Sequence, residues 1–377
     1  EICACLVGSE MCIRDRSFWL DDYALFMAVK AEQGQAGLCD WPDDLRTRQP
    51  AAVAAARERL AGQVDYFKAV QFFFYTQWSA LKAYANAKGI RLVGDIPIYV
   101  SPDSSDLWTH PELFQTDGTM HLTQVAGCPP DAFAADGQLW GNPLFDWDAM
   151  AKTGYAWWVR RIRHMCSIYD VVRIDHFRGF AGYYAIPYGD KTAEHGRWRE
   201  GPGYALFAAI KKKLGSPRII AEDLGFLTED VNALLKECGY PGMKVLEFAF
   251  DSRDGGDYRP HSYPNNCIAY VGTHDNEPVN GWMETAAPED VERAVRYLNL
   301  TKKEGYHWGM MRGVWSSVAD LAVVQAQDVL GLGHESRMNT PSTLGGNWCW
   351  RAEPGVFNSR LARRLHDLME LYGRLPE

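Results

Sequence analysis

Short apolar runs recur along this chain, and several of them stop at an acid. Val171-Val172-Arg173-Ile174 stops at Asp175, Ile219-Ile220-Ala221 at Glu222, and Ile90-Arg91-Leu92-Val93-Gly94 at Asp95, while the run Cys267–Val271 leads through Gly272-Thr273-His274 to Asp275. A run of that length reads as a buried strand, and a carboxylate at its end suits a cleft better than a core. Met243–Phe248 predicts a further strand, and Leu321–Leu330 a final strand or helix start. Between these runs the spacing turns helical. Phe18, Leu20, Tyr23, Phe26 and Met27 form a stripe that predicts a helix over 18–30, and 51–88 predicts one or two helices broken near Gly62 and stopped at Gly89. Further helices are predicted over 150–168, 204–214, 229–238 with Thr228 as N-cap, 288–300 and 359–372. Trp41-Pro42-Asp43-Asp44 reads as a surface loop, 97–148 as a long loop-rich insertion that carries function, and 337–350 as a Gly-rich loop.

Strands alternating with helices predict a parallel sheet. Six strand candidates with chemistry at their C-terminal ends point to a (β/α)8 TIM barrel rather than a doubly wound sheet, and no G-x-G-x-x-G follows the first strand. A barrel needs eight strands, so the first two are expected upstream of Phe18. The domain is read as beginning near residue 17, with a helical region to about 88 and a covering-loop region at about 97–148.

Composition narrows the partners. A net charge of −9, with Lys211-Lys212-Lys213 the only basic run, opposes a nucleic-acid partner. Fourteen tryptophans exceed what a core needs, and flat faces with one polar edge suit sugar rings, although about half are expected to be packing. Nine cysteines without a disulfide or C-x-x-C pattern predict a reducing, cytoplasmic compartment. No apolar run is long enough for a membrane span. Residues 1–16 hold three of the cysteines, resemble a translated adapter sequence, and are read as foreign to the domain.

Cleaving a glycosidic bond with retention takes a carboxylate nucleophile and a protonated carboxyl roughly 5 Å apart, and barrel strand ends supply such pairs. Arg173 lies on the same side of its strand as Asp175 and can keep it ionised; a structural Arg–Asp pair at the rim is the competing reading. Glu222 follows Ile219, Ile220 and Ala221, which favours a protonated acid; the alternative is a strand-end acid paired with a lysine. Asp223 reads as an N-cap or loop former. His274, Asp275 and Asn276 add an imidazole and a third carboxylate to hold sugar hydroxyls. Asp175, His176 and Cys166 are conceivable metal ligands, but no H-x-x-x-H or H-E-x-x-H exists, so neither metal nor cofactor is expected.

Together Val93-Gly-Asp-Ile-Pro-Ile-Tyr-Val100, Asp103-Ser-Ser-Asp-Leu-Trp108, Gly137-Gln-Leu-Trp-Gly-Asn-Pro143, Val172-Arg-Ile-Asp-His-Phe-Arg-Gly179, Ile220-Ala-Glu-Asp-Leu-Gly225, Gly272-Thr-His-Asp-Asn276 and Arg337-Met-Asn-Thr-Pro-Ser-Thr-Leu-Gly-Gly-Asn-Trp-Cys-Trp-Arg351 resemble the 4-α-glucanotransferases, the amylomaltase or disproportionating-enzyme family of the α-amylase clan. The resemblance runs from Phe18 to the end. It implies Asp175 as nucleophile, Glu222 as acid/base and Asp275 as transition-state stabiliser, with Arg173, His274 and Asp95 at the cleaved sugar. Gln138 and Trp140 match a mobile loop over the donor glucan, and Asn339 and Pro341 belong to an Asn-Thr-Pro substrate-binding motif in which Ser342 replaces a frequent Gly. The family's first barrel strands and an acceptor-side region have no counterpart. The implied reaction moves an α-1,4-glucan segment to the 4-hydroxyl of glucose or a maltooligosaccharide, with no nucleic-acid or membrane partner. An amylase-type hydrolase, or an inactive glucan-binding fragment, are the competing functions.

Overall fold

All six expected strands form in the computed structural model, five of them in pairs that run parallel, and the first carries Asp95 inside it rather than at its end. The structure describes residues 17–130, 136–225, 227–252, 257–341 and 343–375; the segment 1–16, read above as foreign, lies outside them. Two units make up the chain, Glu1–Ile219 with Glu229–Cys238, and Ile220–Thr228 with Gly239–Glu377.

In the first unit, β1 (Val93–Ile96) pairs with β4 (Val171–Ile174), and the register sets Asp95 opposite Arg173. β7 (Ile219–Ala221), where one unit passes into the other, completes the order β1-β4-β7. The sheet is short, its strands being three or four residues long. Gly94 is required on β1: a Cβ there would meet the Tyr169 ring at 2.0 Å. Helices Ser17–Glu32 and Ala61–Ala87 are tied together by the Lys68–Asp21 ion pair. Helix Ala156–Ile168 leads into β4 and buries Trp157, Trp158, Val159 and Ile162. Trp158 meets Phe145 and Phe180 at 5.7 and 5.1 Å, and each such side chain, fully buried, contributes about 2–3 kcal/mol.

The span 97–148 differs from a loop. It carries helix Ser105–Thr109 and two strands, β2 (Gln124–Cys128) and β3 (Gln138–Pro143), which join β5 (Gly182–Pro187) and β6 (Arg197–Glu200) in an antiparallel sheet of order β3-β2-β5-β6. Trp41 is no surface residue either; it is buried against Phe26 and Trp108 at 5.2 and 5.6 Å, and Asp43–Arg46 is a short helix. The helical region breaks at Leu60, not Gly62. The helix expected over 150–168 is two, Trp147–Lys152 and Ala156–Ile168, because Gly154 and Tyr155 between them take left-handed φ of 64° and 56°.

In the second unit β8 (Gly242–Val245), β9 (Cys267–Tyr270) and β10 (Leu321–Val323) pair in the order β10-β9-β8, and the Ala221 N–H donates to Pro241 O at 3.0 Å beside β8. The strand expected to reach Phe248 ends at Val245, and Leu246–Ala249 coils into a 3-10 turn. The helix expected to reach Leu300 stops at Leu298, where Asn299 turns left-handed at φ 51°. Helices Val279–Thr285 and Tyr306–Trp315 were not expected; the second buries Met310, Met311, Val314 and Trp315 against Leu246, Phe250 and Val271. No helix among the described residues is long and apolar enough to cross a membrane.

Candidate active site

In the first unit the acids of β1 and β4 share one cation. Arg173 is buried, and its guanidinium donates through Nη1 to Asp95 Oδ2 at 2.5 Å and forms an ion pair through Nη2 with Asp175 Oδ1 at 3.0 Å. The geometry follows from the ladder, since residues opposite and two along on one face are neighbours in a parallel pair. The Asp175 N–H donates to Ile96 O at 2.9 Å, which seats the acid at the end of β1. Both carboxylates are partly exposed, at 40% for Asp95 and 46% for Asp175, so each reaches solvent while the cation does not. His176 follows with a left-handed φ of 53° and lies edge-on to Trp140, 4.7 Å between ring centres. Burial, with the Arg178 charge adding, pushes the His176 imidazole down to about 3, so it is neutral at any ordinary pH. Trp140 donates from Nε1 to Gln138 Oε1 at 3.0 Å, and both residues stand exposed on β3.

In the second unit Glu222 leaves β7 half-buried and accepts the Leu224 N–H at 2.7 Å. Asp223 is structural: it is buried and its Oδ1 takes the Met243 N–H at 2.6 Å, pinning the start of β8. Burial raises its carboxyl above the usual range. After β9 the turn Thr273–Asn276 is closed by Asn276 Oδ1, which accepts from both N–H and Oγ1 of Thr273 at 2.9 Å. His274 Nε2 lies 3.4 Å from Asp275 Oδ2, and Asn339 Nδ2 donates to Asp275 Oδ1 at 2.6 Å. Arg337 braces the same turn, donating to Asp275 O at 2.6 Å, to Glu277 Oε1 at 2.5 Å and to Asn339 O at 2.9 Å. The exposed Trp348 ring lies 5.0 Å from His274.

Two acid-bearing turns with an arginine, a histidine and an exposed tryptophan apiece are equipment for a neutral, hydroxyl-rich substrate. The family model described as 4-alpha-glucanotransferase matches residues 10–357. The chain belongs to that family, glycoside hydrolase family 77. It is 48% identical over 364 residues to a 4-alpha-glucanotransferase of Clostridium butyricum, covering 96% of this chain and 75% of that protein. To the 4-alpha-glucanotransferase of Thermus thermophilus it is 44% identical over 366 residues, covering 95% and 73%. Among solved structures, the amylomaltase from Streptococcus agalactiae in complex with acarbose superposes with a TM-score of 0.94 at 40% identity, over 98% of this chain and 75% of that one. The α/β fold is therefore the amylomaltase fold.

Of the family-implied residues, the structure joins Asp95, Arg173 and Asp175 in one ion-pair network, and His274, Asp275 and Asn339 in another. Pro341 stands exposed in its loop. Sequence reasoning passed over Arg337, Glu277 and Trp348. Arg337-x-Asn339 repeats the spacing of Arg173-x-Asp175, a signal that was available. Six of the fourteen tryptophans, Trp41, Trp108, Trp157, Trp158, Trp308 and Trp315, are core, whereas Trp140 and Trp348 flank the acid-bearing turns.

Proposed function

We propose that this chain is a 4-α-glucanotransferase that works by retaining double displacement. Asp175 attacks the anomeric carbon while Glu222 gives its proton to the departing glycosidic oxygen; Glu222 then takes a proton from an acceptor 4-hydroxyl, which opens the ester on Asp175. Arg173 supports this reading because a buried cation touching Asp175 favours the carboxylate, the form that attacks. Asp275, aimed by Asn339 and beside His274, meets hydroxyls of the cleaved sugar and the positive charge that develops on its ring. Trp140 and Gln138 cover the donor glucan, and Pro341 and Asn339 line it. The fold that goes with this chemistry is a (β/α)8 barrel of the α-amylase clan, supported by six strands in two three-stranded sheets, four of which, β1, β4, β7 and β9, carry or lead into the acids of the site.

The observation that carries transfer over hydrolysis is the family match together with relatives named for transfer at 48% identity. Incubation with maltotriose tests it: glucose together with maltotetraose and longer chains is the expected product set, and maltose with glucose alone would make the chain a hydrolase. Asp175→Asn should lower kcat at least about 10⁴-fold while maltooligosaccharide binding survives, because the amide keeps the shape but forms no ester. Measurable turnover above that level would remove Asp175 from the nucleophile's role.

A further inference from the structure

Behind the turn that carries Asp275 lies a carboxyl that the proposed reaction does not use and that forms no salt bridge among the described residues. Glu247 opens the 3-10 turn Leu246–Ala249, is 3% exposed, and donates its backbone N–H to Val271 O at 3.1 Å. Its side chain reaches beneath Gly272: a Cβ placed on that glycine would lie 3.0 Å from Glu247 Oε1, Asn276 Cβ and Gln325 Nε2 alike. Any larger residue at 272 would press on all three side chains. Among the described residues, Glu247 Oε1 has no hydrogen-bond partner, and neither has Oδ2 of the fully buried Asp328, whose Oδ1 takes the Val279 N–H at 2.7 Å.

The charged groups acting on Glu247 are Asp328, on helix Ala326–Leu330, Glu277 after the turn, and Arg337 from the following loop. Arg337 is already committed to Glu277, to Asp275 O and to Asn339 O, and His334 Nδ1 also lies on Glu277, at 2.9 Å. An anion at Glu247 would join two others around one shared cation in a site closed to water, where an unpaired charge is far costlier than a neutral acid.

We propose that Glu247 is a positioning residue, a neutral carboxylic acid wedged under the Gly272–Asn276 turn, whose ionisation pulls Arg337 from Asp275 O and spoils the aim of Asp275. Burial first, then Asp328 and Glu277, raise its carboxyl well above the usual range, against a smaller opposing pull from Arg337; burial takes Asp328 to about 7. The sign follows. In the unfolded chain Glu247 ionises at an ordinary carboxyl value and in the folded chain much higher, so holding it neutral costs nothing in acid and costs progressively more stability as pH rises.

The effect on transfer rests on the role proposed for Asp275, but the effect on stability does not, so the two are measured separately. Glu247→Gln is neutral at every pH and nearly the same shape. Its Tm should exceed that of the unmutated chain at pH 8, with the gap narrowing towards pH 4. Glucose release from maltotriose should stay within about twofold at pH 7, and its alkaline decline should begin at least about one pH unit higher. Asp328→Asn, which keeps an acceptor for Val279, should move that decline the opposite way by removing a neighbouring charge. A lower Tm in Glu247→Gln at pH 8 would mean that the acid is ionised and paired, and overturns the proposal. So would an alkaline decline that neither variant moves, and so would failure of both Glu247→Gln and the uncharged Glu247→Met to fold. If the stability shifts appear without any change in the activity profile, Glu247 is the neutral acid described but Asp275 is not the group it aims, which overturns the positioning role alone.

Discussion

Asp175 and Asp275 end runs that look alike in the sequence, and each has an arginine, a histidine and an exposed tryptophan beside it; what differs is where the support comes from. Arg173 is two residues from Asp175 on the same strand, and its second partner Asp95 faces it across the β1–β4 ladder. Moving that guanidinium means breaking the sheet. Asp275 is aimed instead by Arg337 and Asn339, which arrive from a loop 62 and 64 residues further on and are joined to the turn by hydrogen bonds and by the Arg337–Glu277 ion pair. The histidines repeat the pattern. His176 is locked at a left-handed φ against Trp140, whereas His274 sits 5.0 Å from Trp348 in the Gly-rich loop. A group on a strand is held more exactly than one on a loop, so the Asp175 side should respond to substitution steeply and the Asp275 side by degrees.

Arg173→Met is the hardest test of that contrast. It leaves Asp95 and Asp175 without the cation between them and lets both side chains turn to water, so kcat should drop about 10²–10³-fold. A loss under tenfold would mean that the ladder, not the charge, holds Asp175. Arg337→Met on the other side should cost about 30-fold in kcat and about 2 kcal/mol of stability, since it unties Asp275 O and takes the guanidinium from the mostly buried Glu277 carboxylate, which keeps the His334 ring beside it. Asn339→Ala removes one oriented donor and should cost about tenfold in kcat with little change in Tm. If Asn339→Ala proves as severe as Arg173→Met, the distinction between strand-borne and loop-borne support fails.

The six strands of the two three-stranded sheets were legible because each is a short, mostly apolar run, and most carry an acid in or just after the run. The antiparallel sheet was not. β6, Arg197–Glu200, is exposed along its whole length, and β2 finds its partner β5 far along the chain, so neither leaves a local pattern. Helix Tyr306–Trp315 was not expected, and it carries two residues of poor helix propensity, Gly309 and Gly313; a Cβ at Gly313 would meet Leu298 at 2.9 Å and Leu246 at 3.2 Å, so close packing is what favours the glycine. Asp175 was found with its arginine because two residues of one strand suffice to see the pair. Arg337 was not, because its contact with Asp275 exists only after the loop has folded back. Glu247 was invisible for another reason: inside Val245-Leu246-Glu247-Phe248 it neither ends the run nor follows a repeat, and only its burial marks it.

The smallest expected effect lies with the two tryptophans. Trp348 is 58% exposed and Trp140 is 36% exposed, so neither contributes much to folding, and truncating either should move Tm by a degree or two at most. They should part company in kinetics. Trp140 is fixed by Gln138 and by the locked His176, so its face is ready before substrate arrives, and Trp140→Ala should raise KM about tenfold by removing a rigid stacking platform. Trp348 is anchored through its backbone, donating to Met338 O at 2.7 Å, while its ring touches the softer His274 turn. Part of its stacking energy is then spent in ordering the loop, and Trp348→Ala should raise KM only about threefold with kcat unchanged. A fall in kcat at constant KM would instead make Trp348 the residue that orients His274 in the transition state, and the loop side would then be as tightly organised as the strand side.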